Sequence, residues 1–266
     1  GGSTNDNSAT YVGYCWKAGG AAVTNNDGTV SGNVSANPEA GFSLIQYTGS
    51  GGHVTRGHGL GKKPQFIVYR RYSEGSSDWF VNLDDSALPE LGYDRNYLRL
   101  NTTGGVEGPN GNIAPSVAPD NSAAITDTIY SIGGDMNESG KSYINYLWTS
   151  IPGYSKIGVY TGNNNADGPY IHTGFRPAWV IIKHPASSTE WYILDNKRDV
   201  DNPLGQYIST SASAAEATYI FYDFLSNGFK LRNTGTAQNP SSAKILYMAF
   251  AEQPGFTNFD TMSNAR

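Results

Sequence analysis

YSKIGVYTGNNNADGPYIHTGFRPAWVIIKHPASSTEWYILDNKRD, residues 154–199, decides how this chain folds, because a related stretch precedes it. The earlier copy is GFSLIQYTGSGGHVTRGHGLGKKPQFIVYRRYSEGSSDWFVNLDD, residues 41–85. Tyr47-Thr48-Gly49 returns as Tyr160-Thr161-Gly162, a shift of 113 residues (160 − 47). Gly61, Lys63 and Pro64 return as Gly174, Arg176 and Pro177 at the same shift, and Trp79 as Trp191 at 112 (191 − 79). A closing pattern follows each copy: NESGKSYINYLW from Asn137 and NPSSAKILYMAF from Asn239. The chain also opens with a version of it, NSATYVGYCW from Asn7 to Trp16. A repeat longer than 100 residues suits tandem domains rather than a solenoid.

The resulting expectation is an all-β protein of two tandem β-sandwich, jelly-roll-like domains. Residues 1–40 read as the closing strand of a preceding unit plus a Gly/Asn/Ser-rich loop, 41–152 as the first repeat and 153–266 as the second. Such a chain is expected to be a piece cut from a longer array. Each repeat holds seven or eight short strands at roughly 8–12-residue spacing. Gln65-Phe66-Ile67-Val68-Tyr69 and Ala178-Trp179-Val180-Ile181-Ile182, each led in by a proline, are the candidate buried strands. Phe66, Val68, Trp179 and Ile181 are expected to point into the sandwich cores. Thr10 to Trp16 alternates like a strand, which makes Cys15 a buried structural thiol. Single helical turns are the most that Ser86–Leu91 and Ser213–Ala217 support.

Composition narrows the function. Of 266 residues only 15% are charged, while 32 are Gly and 18 are Tyr. The balance of −5, without a basic run, argues against nucleic acid. No apolar stretch reaches the ~18 residues of a membrane span, so no membrane insertion is expected. One cysteine excludes a disulfide framework and a Cys-based zinc site.

The candidate chemistry is sparse. His53 and His58 flank Arg56 in a Gly-rich stretch, which reads as a solvated loop because no third metal ligand accompanies them. Asp84, Asp85, Asp195, Asp199 and Asp201 follow the Trp-led strands. A carboxylate pair is what glycoside hydrolysis needs, yet their turn-like settings favour capping of local backbone amides. Asn163-Asn164-Asn165-Ala166-Asp167-Gly168 resembles a calcium loop but lacks the closing bidentate glutamate, so an Asx-type turn is expected. No catalytic residue, metal site or cofactor follows from these patterns. Recognition is the better fit: tyrosines among Asn, Ser and Gly offer flat amphipathic area and adaptable hydrogen bonds. The candidate ligand-binding residues are Tyr72, Tyr93, Asn163, Asn164, Asn165, Asp167 and Tyr170.

YSKIGVYTGNNNADGPYIHTGFRPAWVIIKH, DFLSNGFKLRNTG and ILYMAFAEQPG together resemble a repeat domain of bacteriophage tail-fibre and other virion structural proteins, notably marine ones. The first half departs from that pattern, with HGLGKKPQF in place of HTGFRPAWV. The resemblance implies a non-enzymatic virion component, the distal part of a tail fibre that contacts the host surface. It also implies a homo-oligomer, expected to be a trimer, associated with other virion proteins and with a host glycan or protein. The alternatives are a purely structural or capsid-decorating protein and a polysaccharide-degrading spike. Phe259 to Arg266 resembles the natural C-terminus of such fibres.

Overall fold

In a computed structural model the described residues are 7, 10–73, 77–82, 88–93, 95–113, 125–211 and 215–252. Asp84, Asp85, Ser86, Ser213 and the segment 259–266 lie outside them. The described chain is all-β, with seventeen strands and one short 3-10 turn, Gly134–Met136.

The first half supplies β1 (Val23–Asn25), β2 (Gly32–Asn37), β3 (Phe42–Thr48), β4 (Val54–Gly57), β5 (Phe66–Arg71), β6 (Trp79–Asn82), β7 (Tyr97–Arg99), β8 (Ile129–Ile132) and β9 (Ser142–Trp148). The second half supplies β10 (Ser155–Thr161), β11 (Tyr170–His172), β12 (Pro177–Lys183), β13 (Tyr192–Asp195), β14 (Leu204–Ser209), β15 (Ala217–Leu225), β16 (Gly228–Leu231) and β17 (Lys244–Ala251). A seven-stranded antiparallel sheet runs β1-β2-β3-β9-β5-β6-β7, and an eight-stranded one runs β10-β17-β12-β13-β14-β15-β16-β11. β4 and β8 pair separately over the first. In the second sheet Lys156 Nζ, on edge strand β10, donates to the His172 carbonyl on the other edge at 2.7 Å, so this sheet curls towards closure.

The repeated sequence occupies equivalent ladders. Phe66 faces Trp148 as Trp179 faces Phe250, and Val68 faces Tyr146 as Ile181 faces Met248. Tyr47 donates to the Met136 carbonyl at 2.6 Å and Tyr160 to the Gln238 carbonyl at 2.7 Å. The prolines stand alike as well: Pro64 lies two residues before Phe66, and Pro177 two before Trp179.

Side chains on alternate residues then divide three cores. Ile45, Tyr47, Ile67, Tyr69 and Leu147 pack beneath the β4–β8 pair in the first core. Val180, Ile182, Ile245 and Tyr247 pack with Phe221, Tyr222 and Phe229 in the second. The opposite faces of both sheets meet in a third core, where Phe42, Phe66, Val68 and Trp148 join Trp179, Ile181, Met248 and Phe250. The four residues expected to fill the sandwich cores are therefore buried, but in the seam between the sheets. The apolar runs are continuous because each strand is buried on both faces, at roughly 1.5–3 kcal/mol per side chain.

Residues 10–40 differ from expectation. Thr10 to Trp16 forms no strand. It lies over the seam instead, with Tyr14, Trp16 and Ala18 turned inward. Cys15, between the two inward aromatic residues, is thereby exposed rather than buried. The Gly/Asn/Ser-rich passage is not all loop, because β1 and β2 form a hairpin that extends the first sheet beyond β3. Its turn follows the Asn25-Asn26-Asp27-Gly28 signal: the Asp27 amide donates to Asn25 Oδ1 at 2.7 Å and Gly28 takes φ +86°.

Polar ties also cross the seam, several of them to the segment from Arg99 to Val106. Trp191 Nε1 donates to the Arg99 carbonyl at 2.9 Å, Thr210 Oγ1 to Leu100 O at 2.6 Å, and the Val106 amide to Pro185 O at 2.7 Å. Lys183 Nζ donates to Thr103 O at 3.0 Å and to Thr189 O. Lys183 is fully buried, and that burial pushes its ammonium from 10.5 down to about 8. The folded state thus holds the proton less tightly than the unfolded chain. The cost of the buried charge is fully present below pH 8 and is relieved as the pH rises towards the ordinary lysine value. The thermal midpoint is expected to rise between about pH 7.5 and about pH 9.5, and the rise to vanish in Lys183→Met. A rise of the same size in both proteins would assign the effect elsewhere.

Candidate functional site

The loop after β10 is shaped by one buried side chain. Asn239, fully buried, accepts the Asn163 amide N–H on Oδ1 at 2.8 Å. Its Nδ2 donates to Asn163 Oδ1, Asn165 O and Asn233 O at 3.1, 2.8 and 2.7 Å. Asn163 and Asn165 spend their own Oδ1 atoms on the amides of Asn165 and Asp167, and Asn164 takes φ +52°. These are the expected Asx turns. Asp167 ends the loop in an ion pair with Lys230 at 2.8 Å, and the Lys230 ammonium holds its carboxyl below the ordinary value. The carboxylate is thus directed at a lysine on β16.

Tyr170 lies beside this loop. It opens β11 directly opposite Lys230, and its ring is exposed. Its hydroxyl donates to Asn227 Oδ1 at 2.6 Å and contacts His172 Nδ1 at 3.3 Å. Gly228 lets the ring lie against the β15–β16 turn, since a Cβ there would sit 2.9 Å from the ring and 2.1 Å from the Ile171 carbonyl. Asn163, Asn164, Asn165, Asp167 and Tyr170 therefore share one face with His172, Asn227 and Lys230. That face offers an aromatic plane bordered by amide, imidazole and ammonium groups.

The other two tyrosines lie elsewhere. Tyr72 is exposed at the end of β5, where its hydroxyl accepts from Gln46 Nε2 at 2.5 Å. Tyr93 is half-buried against the seam core, and burial raises its phenol pKa. From its place outside any strand, it packs against the seam core.

The acidic residues behave as caps. Asp195 Oδ1 accepts the amides of Lys197 and Arg198, both at 3.0 Å, and Oδ2 accepts Arg198 Nε at 2.6 Å and the Tyr14 hydroxyl at 2.8 Å. Burial alone would raise the Asp195 pKa, but these hydrogen bonds and the Arg198 charge outweigh it and lower the value. Asp199 Oδ2 accepts the Gly205 and Gln206 amides at 2.6 and 3.0 Å.

His58 was expected in a solvated loop. It is fully buried, with Nδ1 accepting the Leu60 amide and Nε2 against the Thr126 carbonyl. His53 precedes β4 and His58 follows it, a separation of roughly 16 Å along an extended strand. Among the described residues no cluster of three His, Cys, Asp or Glu is placed to hold a metal, and no helix is long and apolar enough to cross a membrane.

Sequence reasoning missed Asn239 and its counterpart Asn137, the Tyr14–Trp16 strap and the buried cations Arg56 and Lys183. Only the first pair left a trace, as the first residue of each closing pattern. No curated protein and no solved structure matches the chain. A family model spans residues 1–254, strap and both halves together, and the chain accordingly belongs to DUF7483, a domain of unknown function.

Proposed function

We propose that this chain is a non-enzymatic part of a phage tail fibre, exposed on the virion, that contacts a host-surface glycan. The observation that carries the reading is the Tyr170 face. An exposed aromatic plane bordered by Asn227, His172 and Lys230 suits a sugar, whose C–H face stacks on a ring while its hydroxyls take polar partners. The likeness of YTGN, GFRPAWV and SNGFKLR to tail-fibre repeats supports the virion setting. In this reading the halves are two tandem jelly-roll-like domains, and the protein works as a homotrimer bound to other virion proteins. The bonding of Asp195 and Asp199 favours binding over hydrolysis, because a carboxylate kept ionised by Arg198 is poorly suited to be a general acid.

Glycan-array binding, together with adsorption blocking by the purified chain, tests the proposal. Saturable binding is expected, and Tyr170→Ala is expected to weaken it about 30-fold, as for an aromatic anchor worth about 2 kcal/mol. The fold should be unaffected, since the ring is exposed. Neither glycan binding nor blocking, or equal binding by Tyr170→Ala, would overturn it.

A further inference from the structure

The Tyr170 face carries more positive charge than it balances. Tyr170 stands directly opposite Lys230, and Lys230 directly opposite Asp223, so the three form one row across β11, β16 and β15. Two of the cations at this row are matched. Lys230 Nζ lies 2.8 Å from Asp167 Oδ1 and donates to Gly168 O at 2.9 Å. Arg232 Nε donates to Asp223 Oδ2, and its Nη1 stands 3.8 Å from Asp167.

Lys156 is the third cation, and it is not matched. It belongs to β10, at the far end of the strand order, and the curl of the sheet brings its ammonium to β11. There Nζ donates to the neutral His172 carbonyl at 2.7 Å. An ammonium has three N–H donors, and among the described residues no carboxylate pairs with Lys156. His172 and Tyr170 are two residues apart on one strand, so their side chains point to the same side, with ring centroids 6.4 Å apart. Both are exposed. The face thus sets an aromatic plane, an imidazole and a surplus ammonium together. Its three cations outnumber its two carboxylates in a chain whose net charge is −5.

We infer that the sugar taken by the Tyr170 face is acidic, with its carboxylate or sulfate group paired to the Lys156 ammonium while its C–H face stacks on Tyr170. The inference rests on the reading of that face as a glycan site. Lysine presents a compact point charge whose donors rotate to suit, which fits a single oxyanion group of either kind. Lys156 is only partly buried, so the pairing escapes the desolvation penalty of an interior ion pair. One surplus cation beside the Asp167 carboxylate suits one anionic group per binding site. A polyphosphate backbone would need a run of cations instead.

Matched pairs of oligosaccharides test it: galacturonate and glucuronate oligomers beside their carboxyl-reduced forms, and sulfated galactose oligomers beside their desulfated forms. With the whole chain at low salt, the acidic member of at least one pair is expected to bind about 3–10-fold more tightly. The preference should shrink at about 0.5 M salt. The pair that shows it tells a carboxylate from a sulfate. Lys156→Met should remove the preference and Lys156→Arg should keep it. Lys156→Gln, which can still donate to the His172 carbonyl, replaces the methionine variant should that one fail to fold. Equal affinity for both members of every pair, each weakened by Tyr170→Ala, would overturn the inference and leave the glycan reading standing. An acidic preference unchanged in Lys156→Met would overturn it as well. Binding of neither member of any pair would overturn both readings.

Discussion

Asn239→Ala is expected to destabilise the protein by about 2–4 kcal/mol, although it removes only three heavy atoms from a side chain beside a surface loop. The substitution leaves the Asn163 amide and the Asn165 and Asn233 carbonyls without their partner. Each buried group so orphaned costs about 1–3 kcal/mol, reduced where the loop can open to water. Asn137→Ala should cost a similar amount, because Asn137 does the same work in the first half. Its Oδ1 accepts the Ser50 amide at 3.2 Å, and its Nδ2 donates to Gly51 O and Gly52 O at 2.9 and 3.0 Å. The sharper test is Asn239→Asp, which keeps the shape and the Oδ1 acceptor but aims a second oxygen at two carbonyls. The folded state would then hold that carboxyl protonated more readily than the unfolded chain. The loss should therefore be greatest at neutral pH and ease as the pH falls through the raised pKa. Chemical denaturation at two pH values measures it. An aspartate as stable as the parent at pH 7 would show that the Nδ2 bonds do not hold the loop.

The repeat-related strands β5 and β12 were legible because continuous β-branched and aromatic runs have few other uses. The repeat was legible because matching residues keep one offset, and the ladders of Phe66 and Trp179 follow it. Turn chemistry was legible at Asp195 and Asp199, and in the Asn163–Asp167 loop, because these short side chains bond nearby amides whatever lies beyond. Alternation could not say what each face meets, so Phe66 and Trp179 were assigned to cores inside each half rather than to the seam between them. The same ambiguity misassigned Thr10 to Trp16. Period-two burial arises equally in a strand and in a strap laid in a groove. Arg56 and Lys183 were invisible for a different reason: charged residues are expected outside. Arg56 instead lies over the Tyr47 ring at 4.2 Å, donating to Ser31 O and to Asn137 Oδ1.

The repeat-related tryptophans Trp79 and Trp191 are expected to respond very differently to removal. Trp191→Ala should cost about 3–5 kcal/mol, the range for a large aromatic side chain deleted from a packed interior. Trp191 is fully buried, meets Phe66 edge-on at 6.1 Å and hydrogen-bonds the Arg99 carbonyl, so its ring reaches into the other half. Trp79 holds the matching place after the polar turn of the first half, but it is only partly buried. It stacks on Tyr146 at 5.8 Å, with the Arg70 guanidinium over its ring at 5.3 Å. Its removal widens a cavity of about 460 Å³ that already lies between the two sheets, and Trp79→Ala should cost less than about 2 kcal/mol. The asymmetry follows from docking: one tryptophan is inserted into the neighbouring half, while the other edges the cavity between them. Calorimetry adds a second readout. The parent should unfold in one transition, because a shared aromatic core couples the halves. Trp191→Ala removes the deepest cross-seam anchor and should broaden or split that transition, whereas Trp79→Ala should only shift it. Equal losses from the two variants, with a single sharp transition in both, would mean that the seam does not couple the halves.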